Sequence, residues 1–246
     1  MFPLVHYFVN KKIFGDVPKL MVLGGLWPDL AIGTGYNRNA AHEMGAEFYV
    51  WCKENAPQAI PLAQGIISHG SKPFCVDYYS DEYWPGCERG FAFAKGVPYI
   101  QRVGETTRMP ERFWKWKAHN FVEMSFELMA SEKNPNLAPE LLAAVADHEA
   151  KNIAAIALSA YTGKSWDSIY NMFSRTTDIF AIKKVSPFTL SDKQCEANVM
   201  RFKIFDSDRD SMAKLLQDMC ADLQSTFPLF INRVVCHTAD VLDQYV

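Results

Sequence analysis

The chain has 246 residues, 49% of them apolar and 22% charged, with a net charge of −3. That composition excludes wholesale disorder and supplies enough chain for a sizeable core. It carries no basic stripe, so nucleic acid is not an expected partner beyond a nucleotide-sized substrate.

The opening MFPLVHYFVNKKIFGD has no basic residue ahead of its apolar ones. No secretory leader is expected, and a cytoplasmic location is. The run LMVLGGLWPDLAIG is interrupted by Gly24, Gly25, Pro28 and Asp29. It falls short of the about 20 apolar residues that span a bilayer, so no transmembrane segment is expected. The six cysteines form no C-x-x-C pair and read as free, buried thiols. Cys75 and Cys87 flank one loop, which leaves a bridge there as the alternative.

The elements follow in chain order. A helix is predicted near residues 17–26, then a loop around 28–35 rich in turn formers. Asn37 or Asn39 can cap a helix that starts at Ala40 and stops before Pro57. Pro61 starts another, ending at His69 and Gly70. Residues 71–112 hold eight glycines and prolines among aromatics and cannot form one regular element. They read as a long irregular insertion, either a lid over a cleft or a packed segment with short helical turns. Residues 111–131 repeat apolar positions every three or four residues, a strong helix.

Residues 138–163 read as one helix with Pro139 in its first turn and Gly163 past its end. Ser165 opens a short helix to about 173. Ser191 with Gln194 fits a capping box. Ser207 can cap residues 208–226, and Pro228 starts the last helix. Alternating strand patterns are scarce. The expectation is an all-α, single-domain multi-helix bundle over 1–246. Residues 1–131 would form a metal-site half, and 132–246 a set of C-terminal helices with a possible homo-oligomer surface.

The chemistry concentrates in the first 131 residues. His119 and Glu123 stand four apart on a helix and so share a face. An imidazole nitrogen and a carboxylate oxygen there can grip one ion. The bland reading is a solvated His–Glu pair, but the flanking Trp114, Phe121, Val122 and Met124 argue for burial. Asp29 in WPDLAIG reads as a turn former or a ligand. His6, His42 and His69, each taken alone, read as core histidines. His148 and His237 fit no metal pattern. No E-x-x-H pair, G-x-S-x-G elbow or phosphate-binding glycine loop is present.

The order of these residues resembles the zinc-dependent phospholipase C and single-strand nuclease superfamily. The likeness covers about the first 130 residues and runs through His6, Asp29 in GGLWPDLAIG, His42 in NAAHEMG, His69 in GIISHGS, and His119 with Glu123 in KAHNFVEMS. It implies a helical fold with one or two divalent metals in a cleft, zinc first and iron or manganese as alternatives. The implied activity is hydrolysis of a small-molecule or lipid phosphodiester by a metal-activated water. Two family positions differ. Pro73 stands where an Asp is usual and Tyr79 where a His is expected, so Asp77 or Asp81 would supply a displaced carboxylate. Asp29 or Asp77 would be the general base. The alternative is a non-catalytic helical metal-binding or scaffold protein with a degenerate site.

Overall fold

The computed structural model describes residues 3–245. Among them every regular element is helical and there is no strand. The first helix, α1 (Pro3–Phe14), covers a stretch for which no element is predicted. Its first turn is held by a distant side chain. The buried carboxylate of Glu127, far along the chain, accepts the N–H groups of Leu4 (3.1 Å) and Val5 (2.8 Å).

The second helix, α2 (Lys19–Leu30), runs through Pro28 into a 3-10 turn ending at Thr34, where a loop is expected. Pro28 deprives only the Gly24 carbonyl of its intrahelical donor. The burial of Trp27, Leu30 and Ala31 holds the turn against that loss. The helix predicted from Ala40 divides into α3 (Arg38–Glu43) and α4 (Gly45–Asn55). Asn37 caps α3 by accepting from the Ala40 N–H at 3.0 Å. Next comes α5 (Ile60–His69).

Helices α2 and α5 touch backbone to backbone. A Cβ on Gly24 would lie 2.0 Å from the Leu62 carbonyl oxygen, and one on Gly65 would lie 2.1 Å from that of Met21. Only glycine permits this approach. It sets the Asp29 end of α2 beside the His69 end of α5.

Residues 71–112 are not one irregular insertion. They contain a π turn (Tyr78–Glu82), α6 (Phe91–Gly96), α7 (Ile100–Thr107) and a final 3-10 turn. Pro73, Pro85, Gly86, Gly90 and Pro110 fall outside these turns, Gly96 and Gly104 lie within α6 and α7, and Phe91, Phe93, Tyr99 and Val103 are buried. The packed alternative therefore holds. The long helix expected next is α8 (Trp114–Lys133).

The helix predicted over 138–163 breaks at Asp147 into α9 (Leu137–Ala146) and α10 (His148–Thr162). Asp147 accepts the Ala150 N–H at 2.8 Å, so it is a cap and not an interior residue. Ser165 caps α11 (Trp166–Ser174) as expected, and the short α12 (Thr176–Ile179) follows. The capping box of α13 (Pro187–Phe202) is Ser186 with Thr189. Ser191 and Gln194 are buried inside that helix, because Ser186–Pro187 already starts it. Asp208, not Ser207, caps α14 (Arg209–Leu223), while the Ser207 hydroxyl donates to the Thr107 carbonyl at 3.0 Å. Pro228 lies in the first turn of α15 (Phe227–Leu242).

One apolar cluster takes in side chains from Leu4 to Leu242. All six cysteines are free, but only Cys52 and Cys75 are buried. No described helix is long and apolar enough to cross a membrane.

Candidate metal centre

The fold gathers every candidate residue. His6 comes from α1, Asp29 from the end of α2, His42 from α3 and His69 from the end of α5. Asp77 and Asp81 come from the segment beside the π turn, and His119 and Glu123 from α8. Three groupings result, each with ligand atoms within 4.8 Å of one another. They are His6–Asp29–His69, His42–His69–Asp77 and Asp81–His119–Glu123. The first two share His69 and form one nitrogen-rich pocket. The third is a carboxylate-rich pocket.

In the nitrogen-rich pocket three imidazoles converge on one buried carboxylate. Nε2 of His42 lies 3.2 Å and Nε2 of His69 3.3 Å from Asp77 Oδ2, while Nε2 of His6 lies 3.4 Å from Asp77 Oδ1. Asp29 Oδ1 is 3.8 Å from His42 Nε2. The rings are locked from behind. His42 Nδ1 donates to the Arg38 carbonyl at 2.8 Å, and His69 Nδ1 donates to the Gly25 carbonyl at 2.7 Å. The rings of His6 and His69 stack at 3.7 Å.

A carbonyl can only accept, so Nδ1 carries the proton in both locked rings. An Nε2 without a proton turns its lone pair toward a carboxylate oxygen, and two acceptors at that distance repel unless a proton or a metal cation lies between them. A proton on His42 answers one such pair, and His69 repeats the arrangement on the same oxygen. Both ring nitrogens of His6 and the Nε2 atoms of His42 and His69 are buried without a regular hydrogen-bond partner among the described residues. The spacing fits a metal. Bonds of about 2.0–2.1 Å to tetrahedral ligands set the ligand atoms about 3.3–3.4 Å apart. Backbone carbonyls behind ligating histidines are the usual outer shell of such sites.

The carboxylate-rich pocket is looser. His119 Nε2 lies 3.9 Å from Asp81 Oδ2 and 3.8 Å from Glu123 Oε2. Its ring is fixed by Nδ1 donating to the Trp116 carbonyl and by stacking on Phe93 at 4.1 Å, with the Arg89 guanidinium on Phe93's other face. Ser80 donates to Glu123 Oε1 at 3.0 Å and Asn120 to Oε2 at 3.3 Å.

Burial dominates the electrostatics. It lowers His6 to about 3 and His119 to about 4, so both rings are neutral at pH 7. Burial raises Glu123 to about 8, with the negative charges of Asp81 and Asp77 adding to it. Burial also opposes ionisation of Asp77, yet the His69, His42 and His6 imidazoles hold it well below the usual carboxylate range. His42 is pulled down by burial but raised overall, through Asp77 and Asp29.

A cleft of about 140 Å³ opens onto these groups, lined by Arg38, Asn39, His42, Glu43, Ser71, Asp77, Asp81 and Glu82. A larger open depression at the ends of α1 and α8, lined by Phe8, Lys11, Lys12, Lys133 and Asn134, contains none of the clustered residues. The cleft is the chemically relevant one, because His42, Asp77 and Asp81 line it.

The position four after His69 is Pro73, and the carboxylate that fills the pocket comes from Asp77, four residues further on. Asp81 holds the second pocket. Tyr79 stacks on His237 at 5.0 Å. Sequence reasoning did not anticipate Ser80, Asn120 or Arg38. The four-residue step from Asp77 to Asp81 repeats that of His119 and Glu123, and was the signal available for Asp81.

No known protein family, curated protein or solved structure matches the chain. The buried His/carboxylate clusters could hold metal ions, and that is as far as the geometry goes unaided.

Proposed function

We propose that the protein is a metal-dependent phosphoesterase that cleaves a small-molecule or lipid phosphodiester, the activity implied by its resemblance to the zinc-dependent phospholipase C and single-strand nuclease superfamily. The observation that carries this reading is the convergence of locked imidazoles on Asp77 beside a solvent-reached cleft. A closed structural site has no such opening. His6, His42, His69 and Asp77 would hold one cation, with Asp29 at its edge. His119, Glu123 and Asp81 would hold another. Such cations supply an ionised water at neutral pH and neutralise charge on the phosphoryl oxygens.

The chain's own groups do the rest. Asp77 has a side chain only 3% exposed and acts as a ligand. Asp29, 22% exposed and held below the usual carboxylate range with help from His69 and His42 against the effect of burial, is the carboxylate with room to take a proton from water. Among the described residues Arg38 is the one cation lining the cleft, and it would orient a phosphate. The six free thiols fit a reducing compartment, the cytoplasm.

The test is hydrolysis of bis(p-nitrophenyl) phosphate by metal-loaded protein, with metal content read by mass spectrometry. His69→Ala should lose both metal and activity. Arg38→Ala should keep the metal and lose about 10–100-fold in kcat/KM, the scale of one charge-assisted contact. Activity that survives chelation and His69→Ala would overturn the reading. It would leave a hydrolase that needs no metal as the better account, whereas bound metal without hydrolysis would leave a helical scaffold with a structural ion.

A further inference from the structure

The two pockets differ in donor set and in spacing, and we propose that they take different cations. The pocket of His6, His42, His69, Asp77 and Asp29 selects zinc. The pocket of Asp81, His119 and Glu123 selects a larger, oxygen-preferring divalent cation of the manganese type. This rests on the reading above that both pockets are metal sites.

The first argument is composition. One pocket offers three imidazole nitrogens with two carboxylates, the other a single imidazole with two carboxylates. Imidazole suits zinc, and carboxylate and water suit manganese and magnesium. The second argument is distance. In the first pocket each imidazole nitrogen lies 3.2–3.4 Å from an Asp77 oxygen, the edge of a tetrahedron of short zinc bonds, with Asp29 Oδ1 further off at 3.8 Å from His42 Nε2. The 3.8–3.9 Å gaps from His119 to both carboxylates of the second pocket exceed that edge, so it offers no close-set group of the zinc kind. The third is room for water. The Asp81 side chain is 20% exposed and lines the cleft, so the second pocket can complete its shell with solvent, as hard six-coordinate cations do. Its spacing is not slack in the protein. His119 is 4% exposed and pinned on two sides, by the Trp116 carbonyl and by Phe93.

Divalent affinity generally favours zinc over manganese at any one site, so the difference between pockets emerges when zinc is limiting. The experiment strips the full chain with chelator, adds one equivalent of zinc and then titrates manganese(II). Bound manganese is counted from loss of the free six-line resonance signal, and zinc is read by mass spectrometry. The expected result is about one zinc and one manganese per chain. Asp81→Asn, checked for helical content, should keep the zinc and weaken manganese binding at least tenfold. Glu123→Gln should do the same. His42→Ala should weaken zinc and keep manganese.

Manganese excluded by a single equivalent of zinc, or retained unweakened in both carboxylate variants, would overturn the proposal, and so would a chain that binds neither ion. A protein that hydrolyses phosphodiesters with zinc in both pockets sinks this inference and leaves the proposed function standing. A mixed zinc–manganese protein without hydrolysis does the reverse.

Discussion

From Pro3 to Lys133 the buried polar side chains include four imidazoles (His6, His42, His69, His119) and three carboxylates (Asp77, Glu123, Glu127). From Leu137 to Leu242 they are Lys151, Thr176, Ser191, Gln194, Asn198 and Thr238, with no imidazole or carboxylate. The second set is largely knitted to neighbours. Lys151 donates to Ser174 at 3.2 Å, Gln194 accepts from Lys117 at 3.2 Å, and Asn198 donates to the Thr107 carbonyl at 3.2 Å. Such pairs contribute about 0.5–1.5 kcal/mol each and specify how helices meet. The first set is arranged so that lone pairs and negative charge face one another, which costs stability unless a cation joins them. One half of the molecule buries polar groups that hold a shape, and the other buries groups that could hold an ion.

The largest effect that separates the halves is expected at Asp77. Asp77→Asn removes the charge on which three imidazoles converge, and zinc affinity should fall at least about 100-fold by calorimetric titration, beyond the 10–100-fold typical of outer-shell changes. Unchanged affinity would remove Asp77 from the ligand set.

A smaller effect is expected in pH dependence. Burial raises Glu127 to about 8 from an ordinary 4.5, although the Leu4 and Val5 N–H groups oppose the rise. Between those two values the folded chain holds a proton that the unfolded chain has released, so stability falls as pH rises. Glu123 acts in the same sense. His6 and His119, lowered to about 3 and 4, act oppositely, but only up to their ordinary 6.5. From pH 6.5 to 8 the glutamates act together with His42, which is raised overall and works in the same sense. The Tm of metal-free protein should decline over that window, and less steeply in Glu127→Gln. A Tm that climbs there would contradict the burial argument.

The smallest effect is expected in the other half. His148 is exposed and bonded to the Tyr170 hydroxyl at 2.6 Å. His148→Ala should leave metal content unchanged and move stability by no more than about 0.5 kcal/mol in denaturant titration. A loss of metal would erase the contrast between the halves.

The helical fold was legible because helix-period apolar patterns and end signals such as Asn37, Ser165 and Pro228 act locally. The candidate residues were legible from their order along the chain, with His42, His69, His119 and Glu123 on predicted helices and His6 and Asp77 outside them. Three things were hidden. The first turn of helix α1 is held by Glu127 from 122 residues away. The break at Asp147 needed the knowledge that its side chain turns back to its own helix. The turns within 71–112 are too short to show a period, so Asp81 stood out only as a spare carboxylate. Each is settled by tertiary contact that a local window does not contain.

Asp77 and Asp81 stand one turn apart on a single stretch of chain, and each faces a different pocket. A cation bound at either one fixes the stretch that serves the other. The conformational entropy lost in ordering it is lost once, so the second ion meets a carboxylate already in place. If both pockets take ions as proposed, their filling would be linked, and the chain would pass from empty to doubly loaded over a narrower range of metal concentration than two separate sites would show.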